Sequence, residues 1–223
     1  MGFSFCLGLA IASIIFFIGY FYFGIRSYKK RFNIPFDIRN TFPYEIGYNT
    51  KFLDNIGVNA LLILSMVSSL SLFLYYGYGH SFFESSKIVT IIAGILLSII
   101  TFFAFFADLK YIRFHLLMVV LLALSAFMLP SGIVILGYVS FQNTNDILSI
   151  VVAGLALVVA LFIFSSLMNP KLNFRLNMKK VTDKDGKEVL VRPKYFVIAF
   201  SEWLYIFSLF IDQILLIILI IPR

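Results

Sequence analysis

Residues 147–168 read ILSIVVAGLALVVALFIFSSLM, a run of 22 residues without a charged side chain. A helix needs about 20 mainly apolar residues to cross roughly 30 Å of hydrocarbon, so this run is long enough to span a bilayer. It is apolar on nearly every face, whereas a helix at a water-exposed surface keeps a polar face. The run therefore predicts a transmembrane helix.

Five further runs have the same character, and composition agrees with them. Apolar residues make up 61% of the chain and charged residues 13%, against about 45–50% and about 25% in soluble domains. A transmembrane β-barrel would require ten-residue segments of alternating hydrophobicity, and none occurs in this sequence. Helices are the other structure that satisfies the backbone hydrogen bonds inside lipid. The predicted fold is all-α, a polytopic bundle of six transmembrane helices in one domain over residues 1–223. The predicted spans are 3–25, 57–78, 88–107, 114–139, 147–168 and 196–221.

The first span could instead be a cleaved signal peptide, because Ala10-Ile11-Ala12 resembles a cleavage site. No basic residue precedes Phe3, and the apolar run continues to Ile25. A signal peptide has a basic start and a shorter apolar core. We therefore expect the first span to be retained as a membrane helix.

Basic residues alternate between the two ends of the spans. Every Lys and Arg except Lys87 and Arg223 falls in the first, third or fifth connection. Since Lys and Arg mark cytoplasmic loops, we expect a multi-pass cell-membrane protein with both termini outside and loops 26–56 and 169–195 inside. Each such residue attracts anionic lipid headgroups by about 1 kcal/mol. The bilayer and its anionic headgroups are thus the expected partners, and the net charge of +7 does not require nucleic acid.

The first cytoplasmic loop, residues 26–56, mixes charges with many aromatic and Ile residues. Pro35 and Pro43 prevent one long helix there. The favoured interpretation places the aromatic side chains among the headgroups, where such residues are common. The alternative is a docking surface, or a gate beneath the bundle.

The second cytoplasmic loop contains Asp185-Gly186 between two β-prone stretches. A type I′ turn needs positive φ at both central residues, which makes this dipeptide a strong hairpin signal. We expect a small cytoplasmic β-hairpin between the fifth and sixth helices, over Lys179–Arg192. Two strands alone are marginally stable in water, so the hairpin should rest on the first loop or on a partner protein.

The sixth span carries polar residues at bilayer depth. Ser201, Tyr205, Ser208 and Asp212 are spaced to share one helical face, and Glu202 lies nearer the cytoplasmic end. Ionisable groups inside a membrane are costly and mark functional sites, so these five are the candidate translocation-path or ion-site residues. Asp212 should point inward and be protonated, or in contact with water or a cation. Two alternatives are a polar clasp between helices, worth about 1 kcal/mol, and a Glu202 that reaches the wet interface.

Two features concern helix packing. Thr90, Gly94 and Ser98 form a ridge of small residues in the third span, suited to close helix contact. Pro130 in the fourth span should bend that helix by more than about 20°.

Motifs of soluble enzymes are missing from the sequence. A single cysteine, Cys6, excludes an internal disulfide. His80 lies in an outer loop and His115 at the inner end of the fourth span, so these two histidines are on opposite faces of the membrane and cannot bind a metal or haem together. No metalloprotease, phosphate-loop or serine-hydrolase motif occurs. We therefore predict no catalytic residues, no metal site and no cofactor.

Three functions are compatible with these features. The first is a small transporter or channel-like protein that moves a small solute or ion, coupled to a proton or cation through the sixth span. The second is a non-catalytic subunit that recruits or stabilises a protein partner, or an oligomer, through its basic loops. The third is a lipid-modifying enzyme, which ranks last because no nucleophile–base set is present.

The orientation can be tested by labelling a cysteine introduced at Lys184. An impermeant reagent added outside intact cells should fail to label Lys184→Cys, because the loop is predicted to lie in the cytoplasm. Ready labelling from outside would reverse the predicted orientation.

Overall fold

Six long apolar helices form the body of the protein. The computed structural model describes residues 2–47, 56–78, 85–106, 112–169, 172, 179–182, 188–191 and 193–222. Within them, every helix except α2 has the length and composition of a membrane span, which confirms the six predicted spans and marks an integral, multi-pass membrane protein. The helices are α1 (Gly2–Phe32), α2 (Pro43–Gly47), α3 (Ile56–Tyr78), α4 (Ser85–Ala104), α5 (Ile112–Thr144), α6 (Ile147–Leu167) and α7 (Val197–Leu219).

Some helices extend beyond their apolar runs. Helix α1 continues through the basic residues to Phe32, and α5 continues to Thr144. A helix leaving the hydrocarbon can continue into water until a breaking signal stops it, so apolar length does not mark its end. Helix α6 begins sharply because the Asp146 side chain accepts hydrogen bonds from the backbone N–H groups of Leu148 and Ser149. Helix α5 runs unbroken through Pro130, and the size of a bend there stays a prediction.

Small residues bring the helices together. The predicted ridge of Thr90, Gly94 and Ser98 is buried within the bundle, as expected. The Phe73 ring of α3 lies against Gly94, and the backbone of Thr90 lies against Gly132 of α5. The hydrophobic effect does not hold helices together inside lipid, because the lipid is as apolar as they are. Van der Waals contact between closely approaching backbones stabilises the bundle instead.

Helix α7 is the central helix. It packs against α1, α4, α5 and α6, and its Gln213 side chain also reaches α3. Two of its residues, Ile211 and Ile214, are exposed large hydrophobics. Helix α7 therefore places its polar side chains inside the protein rather than against lipid.

Residues 36–46 turn back beneath the helices, and we call this segment the plug. Phe42, Tyr44 and Ile46 of the plug are buried. The interpretation that the aromatic residues of this loop lie among headgroups is wrong for these side chains. The physical reason is that α7 and α1 offer them a closed apolar surface: Phe42 packs edge-on against Phe196, 5.4 Å between ring centres. We call the side of the bundle that carries the plug the basic side.

Two short strands lie in the connection before α7. Strands β1 (Lys179–Thr182) and β2 (Glu188–Val191) pair antiparallel, with Lys179 opposite Val191. The predicted Asp185-Gly186 turn lies outside the described residues. The complete hairpin, and the surface on which it rests, therefore stay predictions.

The glycine contacts can be tested with a matched pair of substitutions. A methyl group on Gly132 would lie 2.5 Å from Thr90 Oγ1 and 3.0 Å from Thr90 N, whereas one on Gly154 would meet nothing within 4 Å. Gly132→Ala should therefore lower the free energy of unfolding by about 1–3 kcal/mol, because the helices must separate. Gly154→Ala should leave it unchanged or slightly raised. Thermal and SDS denaturation in detergent measure both, and equal stability of the two variants would contradict the packing.

Candidate functional site

The five predicted site residues are all buried, but they face different neighbours. Ser201, Glu202, Tyr205, Ser208 and Asp212 lie inside the bundle along α7. Two of them contact α6, one contacts α5, and one bonds back to its own helix. The polar face that was predicted for this helix therefore divides into separate sites.

Ser201 and Tyr205 join α7 to α6. The Ser166 hydroxyl donates to Ser201 Oγ at 3.0 Å and lies 3.1 Å from the Tyr205 hydroxyl. Ser208 donates to the backbone oxygen of Tyr205, at 2.8 Å. The contacts of Ser201 and Tyr205 match the polar clasp that the sequence offered as an alternative.

Asp212 has a different environment. Its side chain is 0% exposed, and neither carboxylate oxygen has a hydrogen-bond partner among the described residues. It lies four residues past Ser208, the midpoint of α7, or about 6 Å beyond the centre on the side away from the plug. A carboxylate in such surroundings needs a proton, a water molecule or a cation.

Gln213, beside Asp212, begins a chain of hydrogen bonds across three helices. Its Nε2 donates to Ser69 Oγ at 2.7 Å, and Ser69 Oγ lies 2.7 Å from Ser98 Oγ. Ser98 donates its one hydroxyl proton to the Gly94 backbone oxygen. Ser69 must therefore donate to Ser98 and accept from Gln213, which fixes the orientation of the amide. Gln213 Oε1 is consequently left as a buried acceptor without a partner in the described structure.

Glu202 pairs with His115 of α5, a contact that sequence analysis missed. His115 Nε2 lies 3.1 Å from Glu202 Oε1, and each side chain is 2% exposed. The interpretation that Glu202 reaches the wet interface is therefore wrong. The reasons are that α5 supplies an imidazole and that the plug covers the pair, with the Phe42 and Tyr44 rings edge-on to His115 at 5.3 and 5.8 Å. The sequence did contain one signal for this contact: His115 and Glu202 both lie near the ends of their spans that face the basic loops.

Two hydrogen bonds to backbone oxygens of the plug hold it on the start of α7. Trp203 Nε1 donates to the Thr41 backbone oxygen at 2.6 Å, and the Phe196 N–H donates to the Arg39 oxygen at 2.7 Å. The backbone N–H of Phe42 donates to Glu45 Oε2, in the first turn of α2. Ile46 also contacts Gly24 of α1, where a larger residue would collide with it. The plug is thus fixed at several points around the His115–Glu202 pair.

The exposed start of the plug has its own ion pair. Arg39 Nη2 lies 3.0 Å from Asp37 Oδ2. Hydrogen bonds from the Arg39 side chain and backbone hold the pKa of Asp37 below its usual range. This pair is exposed, so it contributes little to stability and serves to shape the turn.

The chain matches no known family model, curated protein or solved structure.

Two clefts flank the end of α7 on the side away from the plug. One, of about 430 Å³, is lined by residues of α1 and α3 together with Ile220 and Pro222. The other, of about 560 Å³, lies between α5 and the end of α7, and Ser140 and Asp146 line it. Neither is lined by Asp212. Among the described residues, no three His, Cys, Asp or Glu side chains lie close enough together to hold a metal ion.

The Gln213 chain of hydrogen bonds can be tested with a double-mutant cycle. Gln213→Leu and Ser69→Ala remove the two ends of one bond, so their effects on stability should be coupled by about 0.6–1.7 kcal/mol. Ser125→Ala is the control, because the Ser125 hydroxyl bonds to Leu121 of its own helix. Its effect should simply add to that of Gln213→Leu. Strict additivity for the Gln213–Ser69 pair, measured by SDS denaturation, would rule out this chain.

Proposed function

We propose that the protein is a small transporter or channel-like protein in which α7 lines the path of a small solute or ion and Asp212 binds a coupling proton or cation. The observation that carries the proposal is the fully buried Asp212 carboxylate, whose two oxygens lack partners among the described residues. Burying an ionised carboxylate without compensation costs many kcal/mol, so a fixed structural role would call for a fixed partner. A mobile ion explains why none is supplied.

The neighbouring chemistry supports a positively charged ligand. The six predicted spans contain no Lys or Arg. Next to Asp212, Gln213 adds an oxygen acceptor whose orientation is fixed by Ser69. Oxygen acceptors without donors suit a proton or a hard cation such as Na⁺ or Mg²⁺.

Access to Asp212 differs between the two sides of the membrane. On the side away from the plug, the two clefts begin at the end of α7, and Asp212 lies about 10 Å deeper, by helical rise. On the basic side, the plug packs over His115 and the start of α7. The arrangement fits an occluded state, from which a movement of α7 against α5 and α6 would open the path.

The membrane placement belongs to the same proposal. We place the protein in the cell membrane with both termini outside and the basic side in the cytoplasm. The exposed residues Arg26, Lys29 and Lys30 at the end of α1 then lie at the level of anionic headgroups, which they attract.

A second candidate is a non-catalytic subunit that recruits a partner protein through the basic side. The plug favours it, because an ordered segment with Ile34 and Arg39 exposed nearby offers a shaped surface rather than a loose loop. In this case Asp212 would be a packing detail. Purification in mild detergent, followed by identification of bound proteins and lipids, would reveal a stable partner or oligomer.

Transport can be tested with Asp212→Asn in reconstituted vesicles. The amide preserves the shape of the side chain but binds neither a proton nor a cation as a carboxylate does. We expect the variant to abolish flux driven by a proton, Na⁺, K⁺ or Mg²⁺ gradient, and to change thermal stability little.

Asp37→Asn is the matched control. Asp37 is an exposed carboxylate far from both clefts, and its ion pair with Arg39 contributes little to stability, so transport should continue. Unchanged flux in Asp212→Asn would remove Asp212 from the path and promote the subunit hypothesis.

A further inference from the structure

Four buried polar side chains lie on three helices that meet inside the bundle, where α7 packs against both α1 and α4. They are Ser13 and Tyr20 of α1, Thr101 of α4 and Gln213 of α7. Each of these residues is 0% exposed, and each has a side-chain oxygen without a hydrogen-bond partner among the described residues. We call these four side chains the polar column.

Contacts between helices give the order of three of these side chains across the membrane. The Gln213 amide is linked to Ser98 of α4 through one intervening hydroxyl. Thr101 follows Ser98 by about one turn towards the basic side, and Phe105 follows Thr101 by another. The Phe105 ring packs edge-on against Tyr20, 5.0 Å between ring centres. Thr101 therefore lies between Gln213 and Tyr20, over about 10 Å by helical rise.

The level of Ser13 follows from the contact between α1 and α7. Phe17, one turn after Ser13, stacks on Phe210 of α7, 4.3 Å between ring centres. Because α1 is the first crossing and α7 the sixth, the two helices run in opposite directions, and Gln213 comes one turn after Phe210. Ser13 and Gln213 therefore lie at about the same level. The Ser65 hydroxyl bonds to the backbone oxygen of Ser13 and not to its hydroxyl.

The hydroxyls of the polar column differ from other hydroxyls in the spans. A serine or threonine inside a helix often bonds to a backbone oxygen of the preceding turn, and Ser98, Ser125 and Ser131 do so. Ser13 and Thr101 make no such bond in the described structure. Buried polar groups are nearly always paired with protein or with water. A series of them along one helix interface therefore indicates a polar ligand that pairs with them all.

We propose that the polar column binds a file of water molecules and that this file carries protons between Asp212 and the basic side. A water molecule and a hydroxyl each donate and accept hydrogen bonds, so they can form an unbroken chain. At each oxygen along it one O–H bond forms and another breaks, which conserves atoms and charge. Asp212, which precedes Gln213, is the group that holds the proton at the outer end.

The column suits a proton better than a metal cation. A cation such as Na⁺ or Mg²⁺ needs several oxygen ligands at every point where it rests. The column offers one or two oxygens at each level, which is enough to relay a proton. The choice of the proton as the coupling ion rests on the proposed transport function, whereas the binding of water does not.

An aromatic layer separates the column from the plug. Phe105, which packs on Tyr20, also lies edge-on to Trp203, 5.9 Å between ring centres. The Trp203 indole donates to the Thr41 backbone oxygen of the plug. An indole N–H only donates and a phenyl ring does neither, so these side chains cannot relay a proton. The file therefore ends at Tyr20 in this arrangement, and protons pass only when the layer parts.

Water in the column can be detected without a transport assay. Full-length protein carrying Cys6→Ala receives one new cysteine, Ser13→Cys or Thr101→Cys, and is treated in detergent with methyl methanethiosulfonate. The reagent needs a thiolate, which forms in a hydrated site. Both cysteines should react roughly tenfold faster than Ser125→Cys, a matched buried serine whose hydroxyl bonds to its own helix. Equal rates at all three positions, in variants with unchanged circular dichroism, would overturn the water file.

Proton conduction is measured in vesicles that contain a pH-sensitive dye, with a K⁺ diffusion potential as the driving force. Thr101→Val and Tyr20→Phe each remove one relay hydroxyl and little volume. Each should lower proton flux roughly tenfold, the effect of one hydrogen bond on a barrier. Tyr22→Phe is the control, because Tyr22 lies on the same helix and is 60% exposed, and it should leave the flux unchanged.

The outcomes separate this inference from the transport proposal. Full proton flux in both Thr101→Val and Tyr20→Phe would overturn proton conduction through the column. Flux of Na⁺ or of another solute without protons would also overturn it, and would leave the transport proposal standing. If the unaltered protein moves no ion or solute, transport and proton conduction fail together, and the labelling rates alone decide whether the column binds water.

Discussion

Hydrocarbon cannot form hydrogen bonds, and the arrangement of this protein follows from that constraint. Backbone groups are satisfied within six helices, and polar side chains must be satisfied by other helices. Helix α7 carries Glu202, Asp212 and Gln213 and is the least apolar of the spans, and it is the most buried of them. Helix α6 is the most apolar and exposes much of its surface. The position of each of these helices in the bundle thus corresponds to its polar content.

This constraint also explains which features could be predicted from the sequence. A run such as 147–168 is a local property, and so is the spacing of Thr90, Gly94 and Ser98, which places small residues on one face whatever the neighbour is. The ends of α1 and α5 were not predictable from apolarity, because a helix continues into water without an apolar requirement. Pairings such as Ser69 with Gln213, which are 144 residues apart, depend on which helices become neighbours. That choice results from the packing of the whole bundle.

The plug shows a different limit. Sequence gives the depth of Glu202 along its helix but not what covers it. Phe42 and Tyr44 have side chains that suit headgroups and protein interiors alike, so their composition cannot distinguish the two sites. The deciding contacts are made to backbone oxygens: the Trp203 indole donates to Thr41, and the Phe196 N–H donates to Arg39. Backbone acceptors exist at every residue, and no sequence pattern marks them.

The two buried carboxylates of α7 meet the same constraint in opposite ways. Glu202 is given a fixed base, His115, and a cover. Asp212 is given neither among the described residues, although Gln213 beside it is held in place by Ser69. A nearby base can balance a buried carboxylate, whereas a carboxylate without a partner is stable in hydrocarbon only when it is protonated, hydrated or bound to a cation. Helix α7 therefore holds a paired and covered carboxylate towards the basic side and a carboxylate without a described partner towards the other, and the transport that we propose would use the second.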